Sequence, residues 1–172
     1  MDMEETLRKQ LSLLAAGVRV ERFGINFYNS TAECVKDKNG KLLLKSLGND
    51  EVKHEEFLVK QIHRLAPGIK VADIEPDPKY MAQIPKVFPS SSGETCFAAE
   101  DEIRTLELGI QVEKNSYKMY SEGAELTQDP ELKETFERLA RWEKGHQKIL
   151  EENLVYLRRG GTWYGYLPIL DG

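Results

Sequence analysis

Two Glu-x-x-His sequences, Glu51 with His54 and Glu143 with His146, stand 92 residues apart. A lone glutamate precedes each by 30 residues, Glu21 in the first case and Glu113 in the second. On a helix, residues three apart share a face about one turn from each other, so each pair can offer one oxygen and one nitrogen to a single small volume. Four carboxylates and two imidazoles form the donor set from which a four-helix bundle builds a dinuclear metal centre. The mixed oxygen and nitrogen shell suits iron or manganese and leaves coordination positions open for dioxygen or peroxide, whereas four carboxylates exceed what a tetrahedral zinc site uses. One Glu-x-x-His alone would read as a solvated helix face. The set occurs twice, however, and uses two of only three histidines in the chain. His63, with Lys60 three residues before it, reads as an exposed helix residue. Tyr28 and Tyr120 each follow their glutamate by seven residues, two turns along the same face. There a phenol can border the metal cavity and hydrogen-bond a ligand, and core packing is the competing role. They are the candidate catalytic side chains.

The repeat extends past these residues. Leu14, Gly17, Val18 and Val20 meet Leu106, Gly109, Ile110 and Val112 at the same offset, and Leu47 and Leu58 meet Leu139 and Leu150. A single register that matches apolar, glycine and acidic positions without a gap argues for a duplicated helical hairpin. The apolar spacing predicts a first helix from about Glu4 to Cys34, a polar turn over Asp37 to Gly40, and a second helix from Leu42 to Leu65 closed by Ala66-Pro67-Gly68. Residues 67 to 98 hold five prolines and a Ser-Ser-Ser-Gly run, which rule out a continuous helix. This segment reads as a long crossover that carries the chain along the bundle, with Tyr80, Met81, Ile84, Val87 and Phe88 packing as it goes. A third helix is expected from about Ala98 to Leu126, and a fourth from Pro130 to about Arg159 behind an Asp129 cap. Gly160-Gly161 ends it. An aromatic tail with Trp163, Tyr164, Tyr166 and Leu167 follows and is expected to pack on the bundle or on a partner subunit. The fold class is therefore all-α: a four-helix bundle over residues 1–159 made of two antiparallel hairpins and one long crossover, with a tail over 160–172.

Length and composition agree with one helix-rich domain of 172 residues, 40% hydrophobic and 31% charged. A net charge of -5 with both signs mixed gives no basic footprint for nucleic acid or an anionic membrane. No apolar run is long enough to span a bilayer. The acidic start, Met1 to Glu5, lacks the basic and apolar regions of a secretory signal, so a cytoplasmic location is expected. Cys34 and Cys96 form no Cys-x-x-Cys, which excludes a zinc ribbon or a rubredoxin-type iron centre. They read as free cytosolic thiols.

With these residues in place, the chain resembles the ferritin-like superfamily and, within it, the rubrerythrin domain, over roughly residues 5 to 157. Glu21 followed by Phe27-Tyr28, Glu51-x-x-His54, Glu113 followed by Tyr120, and Glu143-x-x-His146 carry the resemblance. It implies two iron ions per site, with Glu21 and Glu113 as terminal ligands, Glu51 and Glu143 as bridges, and His54 and His146 on one metal each. It further implies reduction of hydrogen peroxide, with oxidation of ferrous iron by dioxygen and a non-catalytic metal-binding bundle as the alternatives. Two departures stand out. Rubrerythrins that reduce peroxide usually carry an extra glutamate one turn from the third-helix ligand, where this chain has Ile110 and Ser116. They also usually carry a rubredoxin domain, absent here, so the resemblance implies a six-ligand centre and a separate electron donor such as a rubredoxin-type protein. A homodimer is expected on the same ground.

Overall fold

A computed structural model describes residues 3–85 and 102–164. It contains α1 (Met3–Cys34), α2 (Lys38–Leu65), a 3-10 turn at Val71–Asp73, the short α3 (Pro78–Met81), α4 (Glu102–Leu126) and α5 (Pro130–Arg158), with no strand among the described residues. The most extensive interfaces are α1 on α2 and α4 on α5, the two hairpins of the repeat. None of the helices is long and apolar enough to cross a membrane. The expected beginning of the third helix at Ala98, the crossover residues Val87 and Phe88, Cys96, and the tail residues Tyr166 and Leu167 lie outside the described residues.

The second helix begins four residues earlier than its apolar pattern suggests. Asp37 is its N-cap, and its Oδ1 accepts from the backbone N–H of Asn39 at 2.8 Å and of Gly40 at 3.0 Å. The cap outweighs the turn preference of Asn39-Gly40, because it satisfies two amides that a helix start otherwise leaves unpaired. Gly40 serves another purpose there. A Cβ at this position would lie 2.5 Å from the ring of Trp163, which is 2% exposed and donates from Nε1 to Glu102 Oε2 at 2.8 Å. The beginning of the tail is thereby seated against α2 and α4, while Tyr164 stacks on Tyr156 of α5 with ring centroids 5.2 Å apart.

At the other end, Asp129 caps α5 by accepting from Leu132 N–H at 2.8 Å and receives the Arg64 guanidinium of α2 at 2.7 and 3.0 Å. The described part of the crossover is fastened to both α1 and α4. Asp77 N–H donates to Ser12 O at 3.0 Å, Ser12 Oγ donates to Glu75 O at 2.8 Å, and the buried Tyr80 donates its phenol to Glu122 Oε2 at 2.7 Å. Tyr80, Met81 and Ile84 face the core as their apolar character suggested.

The core is two apolar layers separated by a polar one. Along α1, Leu11 to Val18 belong to the first layer, Glu21 follows, and Phe23 to Ala32 belong to the second. Going along α2, Leu43 to Leu47 lie in the second layer, Glu51 and His54 follow, and Leu58 and Ile62 lie in the first. The other hairpin repeats the alternation with the two layers exchanged: α4 passes from the second layer through Glu113 to the first, and α5 from the first through Glu143 and His146 to the second. The two halves pack as a pseudo-twofold pair: the Cβ position of Gly17 faces Leu58 at 3.0 Å, and that of its counterpart Gly109 faces Leu150 at 3.3 Å.

Candidate metal centre

The duplicated register brings Glu21 of α1, Glu51 and His54 of α2, Glu113 of α4, and Glu143 and His146 of α5 into the polar middle layer, each at most 2% exposed. Among the described residues no other acidic side chain is buried. Ligand atoms of Glu51, His54, Glu143 and His146 all lie within 4.8 Å of one another. Glu21 Oε2 approaches His54 Nδ1 at 3.4 Å, and Glu113 Oε2 approaches His146 Nδ1 at 3.6 Å. Each lone glutamate is thus next to the histidine of one half.

The paired glutamates sit differently. Glu51 directs Oε2 to His54 Nδ1 at 3.0 Å and Oε1 to His146 Nδ1 at 3.2 Å. Glu143 places Oε1 at 2.8 Å from His54 Nδ1 and Oε2 at 4.0 Å from His146 Nδ1. Both therefore span the space between the two imidazoles, whose rings stack at 5.3 Å. Gly24 makes room for this: a Cβ there would come within 3.1 Å of Glu51 Cγ. The two phenols reach across the hairpins reciprocally, Tyr28 donating to Glu113 Oε1 and Tyr120 to Glu21 Oε1.

Four carboxylates in so dry a volume cannot all ionise without compensation. Protons are one source of that compensation, and the groups of the site are displaced accordingly. Burial, then the neighbouring Glu51 charge, holds the Glu21 and Glu143 carboxyls well above the usual range. For Glu51, burial is outweighed by the hydrogen bond to Glu21 and by both histidines, so its carboxyl lies well below that range. His54 and His146 are driven down by burial, but the surrounding carboxylates win and both imidazoles are pushed well above their ordinary value. Burial, and then the charge of Glu113 on Tyr28 and of Glu21 on Tyr120, pushes the two phenols up, so both keep their protons and act as donors.

Three buried polar atoms remain without a well-aligned hydrogen bond: Glu113 Oε2, Glu143 Oε1 and His146 Nδ1. Glu143 Oε1 is close to His54 Nδ1 but not aligned with it as an acceptor. Orphaned groups of this kind are rare in folded proteins and require a partner. All three face the same volume, and two divalent cations there would balance four carboxylates charge for charge, with oxygen and nitrogen donors of the type iron takes. The donor set fits a di-iron site.

Of the sequence-based expectations, the six ligand candidates and the two tyrosines converge on one layer, His63 is exposed, and Ile110 and Ser116 are buried where a further glutamate is absent. Ser116 spends its hydroxyl on Val112 O at 3.1 Å. Two neighbours of the site escaped the reading of the sequence. Asp50 Oδ2 lies 3.6 Å from His146 Nε2, and Trp142 lies flat on His54 with centroids 5.0 Å apart and planes 1° from parallel. The signal available was position: each immediately precedes the glutamate of a Glu-x-x-His.

A family model described as Rubrerythrin matches residues 12–154. No curated protein matches the chain. Among solved structures, a hypothetical protein from Pyrococcus furiosus is similar at 23% identity and a TM-score of 0.73, with 90% of this chain and 93% of that one covered. A two-domain protein from Anabaena variabilis containing DJ-1/ThiJ/PfpI-like and ferritin-like domains is similar at 17% identity and a TM-score of 0.65, with 95% of this chain and 43% of that one covered. These likenesses show a shared fold.

Proposed function

The chain belongs to the rubrerythrin family, and from that membership and the geometry of its polar layer we propose that it is a di-iron oxidoreductase that reduces hydrogen peroxide with electrons from a separate donor. The observation that carries the reading is the convergence of six buried donors, three of them with orphaned atoms, on one volume between two apolar layers. When bound there, a ferrous pair supplies the two electrons that conversion of one peroxide to water consumes.

The protein's own groups have distinct parts. The posture of Glu51 and Glu143, each with one oxygen toward either histidine, supports a bridging role, and the one-sided placement of Glu21 and Glu113 supports a terminal one. Tyr28 and Tyr120 orient the terminal carboxylates, each from the opposite hairpin, and hold a proton on the phenol beside them. The apolar layers above and below keep bulk water out, which strengthens every interaction within the site. An electron carrier of the rubredoxin type fits the need for single electrons from outside.

A second reading is iron handling, in which ferrous iron is the substrate and dioxygen the oxidant. The absence of a further glutamate beside Glu113, where Ile110 and Ser116 are buried, favours it. Stopped-flow mixing of the anaerobically loaded ferrous protein with peroxide or with dioxygen separates the two. Peroxidase function requires faster oxidation by peroxide. Equal or faster oxidation by dioxygen, continuing over many iron equivalents per site, transfers the support to iron handling.

A further inference from the structure

We propose that Asp50 and Trp142, which hold equivalent positions in the two halves of the repeat, make the two metal positions unequal, so that the position beside His146 fills first and the one beside His54 second. The inference rests on the di-metal reading above and adds an order of occupancy to it.

The ligand candidates and the two phenols are matched in type between the halves. Each histidine turns Nδ1 toward the shared carboxylates, each half supplies one lone glutamate, and each lone glutamate receives a phenol from the other hairpin. The repeat breaks one residue before each Glu-x-x-His, where α2 has Asp50 and α5 has Trp142. A histidine that ligates through Nδ1 carries its proton on Nε2. For His146 that nitrogen stands 3.6 Å from Asp50 Oδ2, while the other oxygen of Asp50 is held by Lys53 Nζ at 2.7 Å. A carboxylate charge on this side favours the tautomer protonated at Nε2 and raises the basicity of the ligating nitrogen; partners that accept the outer proton of a ligating histidine typically alter metal affinity by about 10- to 100-fold.

His54 meets different chemistry. The indole of Trp142 covers its ring face at 5.0 Å and is backed by Phe57 at 5.3 Å. Stacking holds the plane of the imidazole, but an indole offers a donor only and cannot accept the ring proton. It also brings no negative charge. One position therefore gains a carboxylate behind its histidine, and the other gains an apolar wall.

The test uses the full chain, prepared without metal and crystallised with one equivalent of Mn2+, the anomalous signal being read at both positions. Wild-type protein should show the ion beside His146, with a preference of about 10-fold or more. Asp50→Asn should reduce that preference by about 10-fold and weaken the first step of a Co2+ titration in solution, leaving the second within a few-fold. Trp142→Phe, which keeps the stack, should leave the order unchanged, and Trp142→Asp should even out the two positions. Equal occupancy in the wild type, a preference for the His54 side, or an Asp50→Asn protein with an undiminished preference would each overturn the proposal while sparing the di-metal reading. Failure of the wild type to bind any ion would overturn both.

Discussion

Tyr120→Phe removes a single oxygen from the middle of the bundle and keeps the ring. The hydroxyl is fully buried and donates to Glu21 Oε1, and the ring stacks on Phe136 with centroids 6.1 Å apart, a contact that phenylalanine retains. The substitution therefore isolates the hydrogen bond. It leaves a buried carboxyl oxygen without its donor, a loss of about 1–3 kcal/mol. For a chain of this size that corresponds to a drop of about 2–12 °C in the melting temperature. Tyr28→Phe should cost a similar amount, because its phenol meets Glu113 in the equivalent way. The assay is guanidinium denaturation of the metal-free protein, followed by helical circular dichroism, with the slope of the transition unchanged. A cost below about 0.5 kcal/mol in both variants would show that the phenols act only as packing, and would refute their role in orienting the terminal glutamates.

Raising the pH above the ordinary carboxyl value of 4.5 should destabilise the metal-free protein, because folded Glu21 and Glu143 keep protons that the unfolded chain has lost. Above 6.5 the raised His54 and His146 act in the same direction, whereas the lowered Glu51 contributes stability above 4.5 that is lost only in acid. Melting curves from pH 5 to 9 with and without metal check this, since bound cations should remove the decline; a metal-free midpoint that rises with pH would contradict it. Glu143→Gln should stabilise the metal-free fold at neutral pH, by removing a carboxyl that burial and three neighbouring carboxylates disfavour, and should lower metal affinity by at least about 10-fold. Paired denaturation and metal titration read both effects, and weaker folding together with unchanged affinity would refute the assignment. Gly40→Ala should cost about 1–3 kcal/mol and expose Trp163 to quenchers, since the new Cβ overlaps the indole at 2.5 Å; unchanged tryptophan fluorescence would contradict the seating of the tail.

The site was legible because duplication wrote it twice at one offset. Glu21, Glu51 and His54 would be unremarkable in a charged bundle, but their recurrence as Glu113, Glu143 and His146 fixed which helix faces look inward. The two hairpins followed from the same register together with the Asp129-Pro130 start signal, whose cap on Leu132 N–H is observed. What stayed hidden depended on partners distant in sequence. Asn39-Gly40 reads as a turn until Asp37 is seen to cap the helix and Trp163 to occupy the space a side chain would need. Gly24 is equally mute in sequence, since the need for it comes from Glu51 on the neighbouring helix. Asp50 and Trp142 broke the repeat, so a search for matching positions passed over them although they touch the two histidines.

The most direct test of the central claim is iron content after anaerobic ferrous loading and desalting, measured on the wild type and on a Glu51→Ala, Glu143→Ala double variant whose helical content is checked in parallel. About two irons per chain in the wild type, and almost none in the folded variant, is the expected result. A wild type that retains no iron, or a variant that retains as much, would contradict a di-iron centre built on these carboxylates.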